Sequence, residues 1–318
     1  DQPDAVTITY GSDASFTAAT SGTTPISVKW QKATSSSGPW TDISGATSTT
    51  YKITKPAVAL NNTYYRAVFT QTCSGRTIYT NAAKSTVNKA TPTIDWDDPA
   101  DITYGTLLSA TQLDAKAMHN GSEVLGTYEY SPIVGTMLGG GDDQDLSVTF
   151  KPSDAANYNS PISKTVHIDV NERATGMSIT CTPDPVWHNS FSDCTFTVTS
   201  SGGTNPTGRV DVGTVLVITG YMASDHCDLA PIAGTNNSSC TVRHITGVSD
   251  WTPNHVHRLY GFYRGDSNYQ DLDYWDFTAD TYYDLKVYDL ANQAALAVVN
   301  PGPLTFGTPA VTLTTTGG

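Results

Sequence analysis

The sequence predicts an all-β protein made of two-layer sandwiches that repeat along the chain. Three observations predict it. Acidic charge is carried almost wholly by Asp, with Glu only at Glu123, Glu129 and Glu172. Glu favours helices and Asp does not. Short runs of alternating apolar and polar residues recur from one end to the other, separated by turn clusters. Two short motifs also repeat, at spacings near the size of one sandwich, about 100 residues.

The alternating runs come first. Val6-Thr7-Ile8-Thr9-Tyr10, Val28-Lys29-Trp30-Gln31, Tyr64-Tyr65-Arg66-Ala67-Val68, Leu146-Ser147-Val148-Thr149-Phe150 and Cys194-Thr195-Phe196-Thr197-Val198 each alternate with period two. That period places one face on a core and the other in water. Gly11-Ser12-Asp13, Ser35-Ser36-Ser37-Gly38-Pro39, Gly139-Gly140-Gly141-Asp142 and Ser201-Gly202-Gly203 supply the turns between runs. The repeats are Ile8-Thr9-Tyr10-Gly11 with Ile102-Thr103-Tyr104-Gly105, and Asp154-Ala155-Ala156-Asn157-Tyr158 with Asp266-Ser267-Asn268-Tyr269. Polar joints at Val87-Asn88-Lys89 and Val170-Asn171-Glu172 suggest boundaries, giving segments 1–87, 88–170, 171–270 and 271–318.

These residues carry a resemblance. Trp30, Asp42-Ile43-Ser44-Gly45-Ala46-Thr47-Ser48 and Asn61-x-Thr63-x-Tyr65-Arg66-Ala67 make residues 1–87 similar to a bacterial immunoglobulin-like module. Ala90-Thr91-Pro92-x-Ile94-x-Trp96 and Val148-Thr149-Phe150-x-Pro152-x-Asp154 make 88–170 similar to another such repeat. Pro206-Thr207-Gly208-x-Val210 and Tyr263-Arg264-Gly265-Asp266-Ser267-Asn268-Tyr269 do the same for the third segment. The resemblance implies tandem immunoglobulin-like β-sandwiches with a C-terminal β-segment, of the cell-surface adhesin or extracellular structural type. It also places Tyr65 at the tyrosine-corner position, with Ala18 and Ala67 where antibody-type domains carry their cysteine pair. Trp30 then packs on apolar side chains instead.

Of the five cysteines, Cys181, Cys194, Cys227 and Cys240 fall in two pairs, and Cys73 sits in a hairpin tip. Each pair suits neighbouring antiparallel strands, so Cys181–Cys194 and Cys227–Cys240 are expected disulfides. Disulfides mark an oxidising compartment, so the expected location is extracellular, secreted or on the cell surface. Asp1 reads as the start of a processed chain.

A net charge of −13 excludes the basic footprint that nucleic-acid binding needs. No apolar run is long enough for a membrane-spanning helix. Nucleophile elbow, zincin, phosphate-loop and dinucleotide motifs are absent, so no catalytic residues are assigned and no enzyme is expected. Asp95, Asp97 and Asp98, and Asp142 and Asp143, form clusters of the oxygen type that Ca²⁺ takes, though Asp also favours turns. His255-x-His257 places two imidazoles on one strand face, without an evident third ligand. The aromatic run with Tyr274, Trp275, Phe277, Tyr282 and Tyr283 suits an interface, as do Val311 and Leu313 in the tail. The tail reads as a β-segment able to add to a neighbouring copy. The expected function is a self-assembling surface filament or surface-layer subunit joined by strand addition, its partners being copies of itself. The alternative is an adhesin or carbohydrate-binding fragment that meets glycans or other surface proteins.

Overall fold

A computed structural model describes residues 1–22, 26–214, 222–246, 256–272, 282–288, 297–298 and 315–316. Among these residues the regular structure is β, with a single 3-10 turn at Val58–Leu60 and no α-helix. Every strand pairing lies within residues 6–88, 93–171, 175–288 or 297–316.

The first group comprises β1 (Val6–Thr9), β2 (Ala14–Thr17), β3 (Ile26–Ala33), β4 (Thr41–Asp42), β5 (Thr50–Ile53), β6 (Thr63–Gln71), β7 (Thr77–Tyr79) and β8 (Ala83–Asn88). One sheet runs β1-β8-β6-β3-β4, with β7 on β6, and β2-β5 form the other. Alternation explains the layering. Phe16 on β2, Trp30 on β3, Tyr65, Ala67 and Phe69 on β6 and Ala83 on β8 share one buried core. Ala18 and Ala67 are fully buried in it, so small side chains and the Trp30 ring fill the place of a sheet-to-sheet disulfide. Phe16 lies 4.8 Å from Tyr65, and Trp30 stacks on Tyr51 at 5.9 Å. The Trp30 indole N–H donates to Ser48 O, which satisfies its buried polar atom.

The second group comprises β9 (Thr93–Asp95), β10 (Ile102–Thr103), β11 (Lys116–His119), β12 (Ser122–Glu123), β13 (Gly126–Ser131), β14 (Gly141–Pro152) and β15 (Ile162–Asn171). Its sheets are β12-β11-β9 and β10-β15-β14-β13. Ala117, Val124 and Phe150 are the centre of a core completed by Ile94, Tyr128, Tyr158 and Ile162.

The third group comprises β16 (Thr175–Thr182), β17 (Val186–Trp187), β18 (Phe191–Ser200), β19 (Arg209–Thr214), β20 (Met222–Asp228), β21 (Ala230–Pro231), β22 (Ser238–Ile245), β23 (Val256–Tyr263) and β24 (Tyr282–Tyr288). Its sheets are β16-β18-β22-β21 and β17-β24-β23-β19-β20. Gly261 on β23 faces the opposite sheet. A Cβ there would fall 2.7 Å from the Phe196 ring, so glycine sets how closely the layers approach. Of the aromatic run after residue 270, Tyr282 and Tyr283 lie on β24, which sits between β23 and β17 inside this sheet. Beyond it, β25 (Ala297–Val298) and β26 (Thr315–Thr316) pair antiparallel with each other.

One device recurs. An early strand of each group pairs in parallel with the last: β1 with β8, β10 with β15, β17 with β24. Proline precedes each of these early strands, at Pro3, Pro99 and Pro185. Proline cannot donate to a ladder. At Pro99 and Pro185 the chain leaves one sheet and joins the other, β9 to β10 and β16 to β17.

By contacts the chain divides into two compact units. Residues 1–100, 108–136 and 145–168 form one, and 101–107, 137–144 and 169–318 the other. The second strand group contributes to both.

Candidate interaction surfaces

The two sequence repeats meet each other. In the first unit, Tyr10 packs edge-on against Tyr158 at 5.3 Å. Asn157 Oδ1 accepts from Val58 N at 2.8 Å, and Lys89 Nζ donates to Ala155 O at 2.6 Å. In the second unit, Tyr104 packs edge-on against Tyr269, also at 5.3 Å. Asn268 Oδ1 accepts from Gly140 N at 2.8 Å, and Arg173 Nε donates to Tyr104 O at 2.6 Å. So the Ile-Thr-Tyr-Gly tyrosine ends one sandwich, and the Asn-Tyr loop between the last two strands of the next sandwich docks on it. Each motif is half of a joint.

The same end of the third sandwich has an equivalent position. Tyr10 N donates to Asn88 O and Tyr104 N to Asn171 O; His188 N donates to Tyr288 O in the corresponding place. Four large apolar side chains are exposed near this end, two on the outer face of each sheet: Trp187 (49% exposed) and Tyr288 (51%) on one, Phe191 (50%) and Ile245 (64%) on the other. Phe191 and Ile245 are register partners, as are Trp187 and Tyr288, and the Trp187 and Tyr288 rings lie 5.1 Å apart.

At the opposite end of the first sandwich, Thr20, Ser21, Gln71 and Arg76 line a surface hollow together with Ile26, Ile78 and the buried Phe69. Ile78 is 49% exposed. The loop there carries the exposed free thiol of Cys73. On the outward face of the same sheet, Arg66 lies between the rings of Trp40 (4.2 Å) and Tyr79 (4.3 Å). Its Nε donates to Gln31, whose amide donates to Asp42, which also pairs with Lys29 at 2.7 Å.

Of the interface residues expected from sequence, Tyr282 and Tyr283 lie on β24, while Tyr274, Trp275, Phe277, Val311 and Leu313 lie outside the described residues. The Tyr282 ring carries the Arg258 guanidinium at 4.1 Å. Tyr283 donates its hydroxyl to Asp184 at 2.6 Å, and this bond, with burial, raises its pKa. Arg258 makes a two-pronged pair with Asp284 and holds that carboxyl below the usual carboxylate range.

Both expected disulfides are present. Cys181 and Cys194 face each other directly on β16 and β18. Cys227 and Cys240 differ from the expected neighbouring strands, because β20 and β22 belong to opposite sheets. That bond pins the layers together. Nearby, His244 Nε2 and His257 Nδ1 lie 2.7 Å apart across the same gap, while His255 is outside the described residues. Buried Asp211 is neutralised by Arg209 at 3.0 Å and Arg264 at 2.5 Å.

The Asp clusters make local bonds. Asp98 Oδ1 accepts from His167 N, and Asp143 N donates to Asp169 Oδ1. Among the described residues, Asp95, Asp97, Asp98, Asp142 and Asp143 included, no three His, Cys, Asp or Glu side chains gather to hold a metal ion. Nor is any described helix long and apolar enough to cross a membrane.

Fold and surfaces together define a protein of tandem immunoglobulin-like β-sandwiches with a C-terminal β-segment. Comparisons add the following. The family described as "Domain of unknown function (DUF8696)" matches residues 3–89. Endoglucanase C of Cellulomonas fimi is 36% identical over 101 residues, 32% of this chain and 9% of the endoglucanase. The likeness thus takes in a small part of that protein. Among solved structures, the four N-terminal Ig domains of Dscam1 isoform 7.44 are 11% identical, covering 90% of this chain and 72% of that one at a TM-score of 0.24. Those of isoform 8.4 are 10% identical with the same coverages and a TM-score of 0.26. At such scores the likeness adds nothing to the topology above.

Proposed function

We propose that this chain is a non-catalytic extracellular structural protein that assembles with copies of itself into a filament or surface layer. Two disulfides support an oxidising, extracellular setting. Its modules are taken as 1–87, 88–170 and a third from residue 171 that runs past 270 to Tyr288, since β24 completes that sheet.

Assembly is by strand addition from the C-terminal segment. The observation that carries this is β13. It ends its sheet, pairs only with β14 among the described strands, and alternates half-buried and exposed residues. Such an edge presents unpaired N–H and C=O groups to an incoming strand. The donor is a ribbon rather than a lone strand, because Thr315–Thr316 already pairs with Ala297–Val298. Electron microscopy of the full chain and of a chain lacking residues 300–318 tests the reading. Filaments or sheets from the full chain only are expected; equal monodispersity of both forms overturns it.

The second reading, an adhesin or carbohydrate-binding fragment of a larger secreted protein, draws on the partial likeness to Endoglucanase C. Glycan-array binding by the full chain, lost in Trp275→Ala or Trp40→Ala, would favour it. No binding to any glycan would count against it.

A further inference from the structure

We infer that the outward face of the larger sheet in the first sandwich binds an acidic polysaccharide, one whose sugars carry carboxylates, through Arg66, Lys84 and the rings of Trp40 and Tyr79. This gives the glycan-binding reading a site and a ligand class, and it rests on that reading. It is independent of how copies join.

Charge marks the region. Residues 1–88 carry seven Lys and Arg against four Asp and no Glu, a net +3, whereas residues 89–318 carry ten against twenty-six, a net −16. Strand alternation then decides which cations share a face. On β3, Trp30 points into the core, so Lys29 and Gln31 point out. On β6 and β8, Ala67, Ala83 and Ser85 point in, so Arg66 and Lys84 point out. The ladders set Lys29 opposite Val68, Gln31 opposite Arg66, and Tyr64 opposite Lys84. Lys29, Arg66 and Lys84 therefore lie on a diagonal across three adjacent strands, each step one strand over and two residues along. Strand spacing and rise put successive Cα atoms of that diagonal roughly 8 Å apart. Asp42 neutralises Lys29 at one end. Arg66 and Lys84 have no carboxylate partner among the described residues.

The surroundings of Arg66 fit a sugar acid. Its guanidinium is held between the Trp40 and Tyr79 rings, and its Nε is taken by Gln31 at 2.8 Å. Both Nη groups, the pair that grips a carboxylate with two parallel bonds, have no hydrogen-bond partner among the described residues. Burial lowers the pKa of Arg66, and an incoming anion offsets that desolvation. Beside it, Tyr79 is 53% exposed, and Trp40 and Tyr64 are half-buried. A sugar ring has an apolar C–H face that settles on such aromatic surface, and a rim of hydroxyls that Gln31, Asp42 and Lys29 can bond. Charge narrows the ligand further. Two unpaired cations suit a chain with widely spaced charges and fall short of the basic footprint that a phosphate backbone needs. A flat anionic membrane also repels the −16 carried by the other residues, whereas a single polymer strand need only come within a Debye length, about 8 Å, of this face.

Affinity electrophoresis of the full chain tests the inference, in gels holding polygalacturonate, an unbranched neutral β-glucan or no polymer, beside a binding assay with an oligothymidylate. Arg66→Gln, Lys84→Gln and Tyr79→Ala alter the face. Lys52→Gln is the control: it removes the same charge from β5, on the other sheet. Circular dichroism establishes that each variant is folded, and Lys84, which has no partner to lose, keeps the test informative if Arg66→Gln is not. Polygalacturonate should retard the wild type and the neutral glucan should not, with the retardation lost at about 0.5 M salt. Arg66→Gln and Lys84→Gln should each weaken binding about tenfold, as the loss of one charge-assisted contact implies. Tyr79→Ala should weaken it as well, and Lys52→Gln should leave it unchanged. A control that weakens binding as much as the face variants, or equal affinity for the oligothymidylate, overturns the inference in favour of a general attraction to polyanions. Retardation by the neutral glucan as strong as by polygalacturonate overturns the acidic ligand and keeps the glycan-binding reading. Retardation by neither polymer, with no binding on a glycan array, removes both.

Discussion

The first and third sandwiches have the same layered plan but join their layers by different chemistry. In the first, nothing covalent crosses the gap. Trp30, Phe16, Tyr51 and Tyr65 fill it with stacked and tilted rings, and Ala18 and Ala67 make room for them. In the third, Cys227–Cys240 crosses between opposite sheets, Cys181–Cys194 ties adjacent strands, and the His244–His257 contact spans the layers. Aromatic volume and a covalent pin are alternative answers to one problem. A sandwich that spends residue volume on a Trp needs small partners opposite, whereas one with a disulfide can use smaller side chains. The two should therefore fail under different insults.

The sharpest test removes the ring. Trp30→Ala leaves a large cavity, and an aromatic deletion of this kind costs about 3–5 kcal/mol. Denaturant unfolding should show the first sandwich's transition moving far down while the third's stays put; a shared shift would break the comparison. Reduction acts in the opposite sense. A thiol reductant should lower the third sandwich's stability by about 2–4 kcal/mol per bond and leave the first unchanged, read by proteolysis of each region.

Alkali probes the aromatic core more gently. Burial pushes the Tyr65 hydroxyl from 10.0 up to about 12. The unfolded chain then ionises first as pH rises, so the stability from Tyr65 is full below pH 10 and is lost between about 10 and 12. Tyr65→Phe should flatten that fall in a pH-resolved melting series. Acid gives the smallest effect. Asp284 has its pKa lowered by Arg258, so the pair's stability is present above the ordinary carboxylate range and fades as pH falls through the folded value. Both side chains are about two-fifths exposed, so solvent screening keeps the loss under about 1 kcal/mol. Asp284→Asn should remove the dependence.

Much of this is readable in the amino-acid sequence. Period-two runs located β3, β6, β14 and β18, because one buried face imposes that pattern. Trp30 declared the first core, and cysteine spacing declared both disulfides. Other features were not legible, for physical reasons. Tyr10 and Tyr158 were each visible as repeats, but nothing local says that one ring sits on the other across more than a hundred residues. The strand β24 was hidden by its own composition. Leu285 is buried between half-buried Tyr283 and Val287, yet the aromatics around them obscured the alternation. Cys227 and Cys240 were paired correctly but assigned to neighbouring strands, since sequence separation does not encode which sheet a strand joins. Trp187, Phe191, Ile245 and Tyr288 come from four strands, and only folding pairs Trp187 with Tyr288 on one sheet and Phe191 with Ile245 on the other.

The parallel ladders of β1 with β8, β10 with β15 and β17 with β24 have a mechanical consequence. Tension applied along a chain draws the two members of a parallel pair in opposite directions along their own axes. Their hydrogen bonds are then loaded together, in shear, rather than peeled one after another. Each sandwich thus carries a built-in brake against stretching, set between one of its early strands and its last.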